Sequence, residues 1–267
     1  MMTTQHTIYQ VDSFTDTPFK GNPAGVMIVN NDTTSQWMQQ VAMEMNLSET
    51  AFILPNENEF LIRYFTPLKE VDLCGHATLA SAHILYEKGI VSSQQTIRFK
   101  AKGGELTIIK KEDWIVMNFP TYPYAETPVH PEFAQIIGFE PIATYNSSYD
   151  WLIALARTEE EVQNATPDFG AMAAKGLGHL MITATCHSGK ADFVVRCFAP
   201  IAGINEDPVT GSAHCALTPF WAQRLGKREM NSIQLSKRTG KLHVKLINDR
   251  VEISGKAVTV FEAQLKV

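Results

Sequence analysis

The sequence has few cysteines, no excess of positive charge and no long apolar run. Its four cysteines are dispersed without a Cys-x-x-Cys spacing, so neither a disulfide framework nor a zinc knuckle is indicated. The formal net charge of -5 disfavours nucleic-acid binding, because phosphate recognition normally needs clustered Lys and Arg. The apolar stretches are short and the first ten residues lack the features of a signal peptide. We therefore expect reduced thiols, a cytoplasmic location, no membrane segment and small-molecule partners.

The chain is long enough for two domains that each bury a core. Hydrophobic residues make up 45% and charged residues 19% of the 267 positions, which is the balance of a globular protein. A proline-bearing stretch, 120–131, interrupts the regular pattern. We expect an N-terminal half over 1–119 and a C-terminal half over 120–267, with the last strand as a candidate for returning to the N-terminal half.

The first half is rich in strand signals. Mixed apolar and polar residues at 6–14, followed by a Gly-Asn-Pro-Ala-Gly turn at 21–25, predict a hairpin. The one-turn spacing of apolar residues within 33–46 predicts an amphipathic helix. The apolar runs 51–54 and 60–65 predict a further pair of strands. This half is therefore expected to be mainly β-sheet.

Two glycine-led helices, one in each half, suggest an internal duplication. The first spans 72–89, ends at a glycine and carries unusually small residues, which favours a central helix enclosed by sheet. The second follows a similar turn and spans 212–225. Placing Gly75 on Gly211 aligns His76 with Ser212. The sequence therefore predicts an α+β protein with two similar halves.

The starts of two such helices could bind an anion. A helix N-terminus presents unpaired N–H groups and partial positive charge, so it can bind a carboxylate or stabilise an enolate. A catalytic acid/base residue is also needed. Glu49 lies just before the apolar run 51–54, where desolvation would raise its pKa. By pattern alone, a glutamate at a strand start is more often a solvated surface group. The pattern leaves both alternatives open.

Four motifs identify a family. They are Phe-Lys-Gly-Asn-Pro-Ala-Gly-Val at 19–26, Asn-Leu-Ser-Glu-Thr-Ala-Phe at 46–52, Asp-Leu-Cys-Gly-His-Ala-Thr at 72–78 and Gly-Ile-Asn-Glu-Asp-Pro-Val-Thr-Gly-Ser-Ala-His at 203–214. In this order and spacing they resemble the phenazine-biosynthesis PhzF-like isomerase family. The resemblance implies a diaminopimelate-epimerase-like fold: two pseudo-symmetric halves, each a mixed β-sheet or barrel wrapped around a central α-helix. It also implies an active site in a cleft between the halves, a homodimer and a role in a biosynthetic process.

The resemblance also implies residue roles. Glu49 matches the catalytic acid/base, which moves a proton between carbons of a small carboxylic-acid substrate without a cofactor or metal. Three further catalytic positions that hold the substrate and assist proton traffic are matched by His76, Asp207 and Ser212. The backbone N–H groups of Gly75 and Gly211 are expected to bind substrate. Phenazine precursors and other cyclic or amino-acid-like carboxylates all remain open as substrates.

A racemase or epimerase is the nearest alternative activity. Enzymes of this fold can use two opposed thiols as bases, and Cys74 sits in a suitable turn. Its aligned counterpart is Thr210, whose hydroxyl is far too weak an acid to replace a thiol. We therefore disfavour two-thiol racemisation and expect Cys74 to be a small buried residue.

Three other functions are weaker alternatives: a metal-dependent enzyme, a hydrolase and a non-catalytic binding protein. His76 and His83 lie two turns apart on one helix, whereas zinc helices usually place ligands four residues apart, so no metal is expected. A Ser212, His76 and Asp207 triad lacks the nucleophile-elbow pattern of a hydrolase. A non-catalytic, small-molecule-binding relative stays open, although the intact acid/base counts against it.

Overall fold

A computed structural model describes residues 6–57 and 59–266. The α-helices in this part are α1 (Ser35–Met45), α2 (Gly75–Glu87), α3 (Phe133–Ile137), α4 (Glu159–Asn164), α5 (Phe169–Ala174) and α6 (His214–Leu225). The strands are β1 (His6–Ser13), β2 (Asn22–Ile28), β3 (Glu49–Asn56), β4 (Glu59–Phe65), β5 (Glu70–Val71), β6 (Ile97–Ala101), β7 (Gly104–Lys111), β8 (Trp114–Pro120), β9 (Tyr124–Thr127), β10 (Ala143–Ser147), β11 (Leu152–Leu155), β12 (Leu180–Thr185), β13 (Phe193–Ala199), β14 (Ile204–Asp207), β15 (Glu229–Gln234), β16 (Gly240–Ile247), β17 (Arg250–Gly255) and β18 (Ala257–Leu265). Within these residues, none of the helices has both the length and the apolar character needed to cross a membrane.

The chain divides into two compact units. One consists of Met1–Asn118 with Ser254–Val267, and the other of Phe119–Ile253. In the first unit, β1 pairs antiparallel with β2 and with β18, so the last strand belongs to this sheet. β2 runs parallel to β3, which forms the predicted hairpin with β4, and β4 runs parallel to β6. The sheet of the first unit is therefore mixed.

Helix α2 is the central helix of the first unit. It packs against β1, β2, β3 and β18, and its residues Ala77, Leu79, Ala80 and Ala82 are fully buried. Small side chains allow this, because each alanine lets a neighbouring strand approach the helix backbone closely. The sequence predicts a central helix enclosed by sheet, and the structure confirms it.

The second unit repeats the mixed arrangement. Strand β11 pairs antiparallel with β10 and parallel with β12, while β13 pairs antiparallel with β12 and parallel with β15. Strand β15 forms a hairpin with β16, and α6 packs against both. Almost all of α6 is buried as well, including Ala216, Leu217 and Phe220. Each unit thus combines a mixed sheet with one buried helix.

Helix α6 begins two residues later than the sequence predicts. Residues 211–213 form a tight turn, in which the amide of His214 donates to the carbonyl of Gly211 at 3.0 Å and that of Cys215 donates to Ser212 at 3.0 Å. These are hydrogen bonds of the 3₁₀ type, which commonly tighten the first turn of a helix. Ser212 therefore lies in the turn that leads into α6 and not in its regular part.

Candidate active site

Glu49 and His76 lie next to each other in the first unit. Glu49 is the first residue of β3 and His76 is the second residue of α2. The carboxylate oxygen Oε2 of Glu49 lies 3.3 Å from Nε2 of His76. The Glu49 side chain is 15% exposed and the His76 side chain 7% exposed. The Glu49 side chain is thus partly exposed, whereas the His76 side chain is covered.

Burial keeps the imidazole of His76 uncharged. Desolvation lowers the pKa of His76 to about 3, so at neutral pH the ring carries one proton. The amide nitrogen Nδ2 of Asn22 lies 3.3 Å from Nδ1 of the ring, and an amide nitrogen can only donate. We infer from this partner that Nδ1 accepts and that Nε2 carries the proton. The contact with Glu49 is therefore one between a neutral imidazole and a carboxylate, not an ion pair.

The Gly-Asn-Pro-Ala-Gly motif builds one wall of this cluster. Gly21 has a positive φ of 65°, and a Cβ there would clash with the carbonyl oxygen of Ser13. The turn brings Asn22 to the imidazole, and the hydroxyl of Ser13 donates to the carbonyl of His76 at 2.8 Å. The backbone and the ring of His76 are thereby both held by the β1–β2 hairpin. Sequence analysis recognised this motif but assigned no role to Asn22.

Two more side chains complete the cluster. The hydroxyl of Ser48 lies 3.4 Å from Nε2 of His76, and the thiol sulfur of Cys74 lies 3.4 Å from Nδ1. Cys74 is 8% exposed. Among the described residues, Glu49, Cys74 and His76 form a group whose possible ligand atoms all lie within 4.8 Å of one another. These residues could hold a metal ion, which the sequence analysis did not predict.

Asp207 lies in the second unit, at the end of β14. Its carboxylate oxygen Oδ2 accepts a hydrogen bond of 2.6 Å from the hydroxyl of Thr210. Gln234 on β15 holds both residues: its side-chain oxygen accepts from the amide of Thr210 at 2.8 Å, and its side-chain nitrogen donates to the carbonyl of Asp207 at 2.7 Å. Gln234 is fully buried. Sequence analysis missed it, since a glutamine in an alternating strand gives no distinctive signal.

The remaining predicted positions differ in exposure. Gly75 is the first residue of α2 and is half-buried, Gly211 is buried, and Ser212 is exposed. His214 is buried completely: its Nδ1 lies 3.0 Å from the carbonyl oxygen of Thr210 and its Nε2 lies 2.9 Å from the hydroxyl of Ser232. Burial lowers the pKa of His214 to about 4. Asp207, Gly211 and Ser212 thus lie in one short segment. Gln234 holds this segment through Asp207 and Thr210, and His214 contacts the carbonyl of Thr210.

The fold defines the class of protein. A probable proline racemase from Agrobacterium radiobacter has a similar structure, with a TM-score of 0.67, 12% sequence identity, and 98% of this chain and 93% of that chain covered. At that identity the likeness concerns the fold alone. The chain thus has the predicted α+β fold of the diaminopimelate-epimerase-like class, with two pseudo-symmetric halves.

The family follows from closer similarities. Residues 11–263 match the family model described as phenazine biosynthesis-like protein. An uncharacterized isomerase from Halalkalibacterium halodurans is 45% identical over 266 residues, covering 99% of each chain. The crystal structure of a PhzF family protein from Enterococcus faecalis has a TM-score of 0.94 and 36% identity, with 99% of this chain and 100% of that chain covered. This chain belongs to the phenazine biosynthesis-like family, which confirms the resemblance and supports isomerase activity at the level of the family.

Proposed function

We propose that the protein is a cofactor-independent isomerase in which Glu49 moves a proton between carbons of a small carboxylic acid. The observation that carries this proposal is the pairing of the partly exposed Glu49 side chain with a covered imidazole, whose Nε2 lies 3.3 Å from the Glu49 carboxylate. A general base must be reachable by the substrate and held in one orientation. Glu49 meets both requirements, because β3 fixes its backbone and His76 contacts its carboxylate.

The neutral state of His76 suits this role. A charged imidazolium would pair with the carboxylate and make it a weaker base, whereas a neutral N–H orients the carboxylate with a smaller loss of basicity. Because burial lowers the pKa of His76 to about 3, the ring stays neutral over the physiological range. In the proposed reaction Glu49 takes a proton from one substrate carbon and returns it to another, while His76 keeps its own proton.

The negative charge that develops on the substrate also needs stabilisation. Gly75 is the first residue of α2, so its amide belongs to the positive end of the helix dipole. We assign to Gly75 and Gly211 backbone hydrogen bonds to the substrate. Asp207 and Ser212 would hold the substrate and assist proton transfer, as the family resemblance implies. The exposed position of Ser212 is compatible with a binding role.

A carboxylic acid incubated with the protein in deuterium oxide tests the proposal. Glu49 should exchange its proton with solvent between taking and returning it, so deuterium should appear at carbon in the substrate, followed by NMR. A panel of cyclic and amino-acid-like carboxylic acids serves as the source of substrates. The Glu49→Gln variant should lose about 10²–10⁴-fold in exchange rate, the usual contribution of a general base.

The control is Glu44→Gln, which removes an exposed carboxylate from α1 and should exchange like the unaltered protein. Exchange that persists in Glu49→Gln would exclude Glu49 as the acid/base. Exchange that appears only after a metal ion is added would exclude the cofactor-independent mechanism. A protein that binds members of the panel but exchanges none of them would favour the non-catalytic alternative.

We also infer from the family resemblance that the protein is a homodimer that acts in the cytoplasm in a biosynthetic process. The assembly is tested by light scattering on the purified protein, where a mass of twice 29.7 kDa is expected. A monomeric mass at micromolar concentration would contradict this part of the proposal and leave the chemistry of Glu49 untouched.

A further inference from the structure

Four side-chain contacts of the His76 ring divide into donors at one nitrogen and acceptors at the other. At Nδ1, the amide nitrogen of Asn22 lies at 3.3 Å and the sulfur of Cys74 at 3.4 Å. An amide nitrogen only donates, and a thiol donates weakly. At Nε2, the hydroxyl of Ser48 lies at 3.4 Å and Oε2 of Glu49 at 3.3 Å. A hydroxyl can accept and an ionised carboxylate only accepts, so all four contacts fit the neutral ring with its proton on Nε2.

Asn22 is the stronger donor at Nδ1, and its own position is fixed by the sheet. It is the first residue of β2 and is fully buried. In the hairpin of β1 and β2 it lies directly opposite Ser13, so the two side chains leave the sheet on the same face. Ser13 donates to the backbone carbonyl of His76 at 2.8 Å, while Asn22 contacts the ring. The hairpin therefore contacts His76 at two points, one on the backbone and one on the ring.

We propose that Asn22 is a positioning residue, which holds the His76 ring in the neutral form whose proton lies on Nε2, the nitrogen next to Glu49. The other neutral form would set an N–H of the ring against the N–H of Asn22, and a nitrogen lone pair against the carboxylate of Glu49. Both contacts are repulsive. Asn22 thus acts on Glu49 through His76. This effect on catalysis rests on the proposed function of Glu49, whereas the hydrogen bond from Asn22 to Nδ1 does not.

Nitrogen NMR of protein labelled with ¹⁵N at histidine tests the hydrogen bond. An unprotonated imidazole nitrogen resonates far downfield of a protonated one, and it moves further downfield when it loses a donor. In the unaltered protein at neutral pH, we expect Nδ1 of His76 to be unprotonated and Nε2 to be protonated. In Asn22→Leu, which is similar in shape but has no donor, Nδ1 should stay unprotonated and shift further downfield. The spectrum of His76→Asn identifies these signals among those of the eight histidines.

The effect on catalysis is measured by deuterium exchange, with a carboxylic acid that the unaltered protein exchanges. Misplacing a catalytic group by about 1 Å can cost about 10²-fold in rate. A ring without its anchor holds Glu49 less firmly, so we expect Asn22→Leu to lose about tenfold at saturating substrate, with little change in the Michaelis constant.

The matched control is Thr144→Val in the second unit. Thr144 is also fully buried, and its hydroxyl donates one hydrogen bond to the carbonyl of Thr127 at 2.9 Å. The variant should therefore lose stability as Asn22→Leu does, but keep both the exchange rate and the His76 signals of the unaltered protein.

Three outcomes would overturn the proposal. A protonated Nδ1 in the unaltered protein would assign the other form of the ring, and an Nδ1 signal that stays in place in Asn22→Leu would exclude the hydrogen bond. An unchanged exchange rate at saturation would exclude the positioning role. If Asn22→Leu does not fold by circular dichroism, Asn22→Val carries the same predictions. Exchange that persists in Glu49→Gln would refute the proposed function and leave the NMR result intact.

Discussion

The segments that lead into α2 and α6 differ in local geometry and carry different chemistry. In the first unit, the turn into α2 buries the ring of His76 and places its Nε2 3.3 Å from the carboxylate of Glu49. In the second unit, the turn into α6 leaves Ser212 exposed, and its acidic residue, Asp207, accepts a hydrogen bond from Thr210. A helix N-terminus alone therefore does not decide the function. The side chains that surround it do.

The difference lies in what holds each carboxylate. Glu49 is contacted by a neutral ring that is itself fixed by Asn22, so its side chain is oriented and still partly exposed. Asp207 belongs to a segment that the fully buried Gln234 ties to β15. The first arrangement suits a group that takes and returns a proton, and the second suits a group that holds a ligand in a fixed place. Three predictions test this contrast.

The largest effect is expected for His76→Asn. Without the ring, Glu49 loses the contact that orients it, and we expect the rate of deuterium exchange at saturating substrate to fall about 10²-fold or more, as for other oriented general bases. The Michaelis constant should change far less. The control is His83→Asn on the same helix, because His83 contacts Glu87 and Thr259 and lies outside the cluster. Equal losses in both variants would show that the effect is structural.

The next effect concerns the second unit. Gln234→Leu removes the acceptor for the Thr210 amide and the donor to the Asp207 carbonyl. A buried amide and a partly buried carbonyl then lose their partners, which we expect to lower the free energy of unfolding by about 3 kcal/mol. Urea denaturation measures this loss. The control is Gln40→Leu on the exposed face of α1, which should change the free energy of unfolding by less than about 0.5 kcal/mol. A loss under about 1 kcal/mol in Gln234→Leu would mean that water replaces the glutamine.

The smallest effect is a pH dependence that comes from His214. Burial lowers its pKa from 6.5 to about 4, so the unfolded chain binds this proton more readily than the folded one. Its contribution to stability is present above pH 6.5 and is lost as the pH falls towards 4. We expect the share of His214 in the loss between pH 8 and pH 5 to be about 2 kcal/mol.

Thermal and urea unfolding at both pH values measure this share when the protein is compared with His214→Gln. The glutamine can keep a hydrogen bond with Ser232 but cannot titrate, so the variant should lose less stability on acidification. An identical pH dependence in the two proteins would show that His214 is not a source of the acid sensitivity.

Sequence patterns predicted the regular parts of the fold better than its site. Helix α2 was expected over 72–89 and spans Gly75–Glu87, because glycines mark both ends and small residues mark its burial. The short helix α4 was missed, although Thr158 caps it and the three residues Glu159, Glu160 and Glu161 open it. Six residues give too little periodicity to be distinguished from a polar loop.

The site depends on contacts that spacing along the chain does not encode. Glu49 and His76 meet because β3 and α2 pack together, and only the family resemblance joined them in the sequence analysis. The family resemblance did not identify Gln234, because this residue lies in none of the recognised motifs and in a strand far along the chain from Thr210. Long-range contacts of this kind become visible only when the strand order is known.

The most direct test of the contrast between the two units compares Glu49→Gln with Asp207→Asn in one deuterium-exchange experiment. Exchange at carbon and binding of the same carboxylic acid are measured for both variants. We predict that Glu49→Gln binds the acid but loses exchange at least about 10²-fold, whereas Asp207→Asn binds more weakly and loses less in exchange at saturation. Retained exchange in Glu49→Gln together with abolished exchange in Asp207→Asn would contradict the assignment of the acid/base to the first unit.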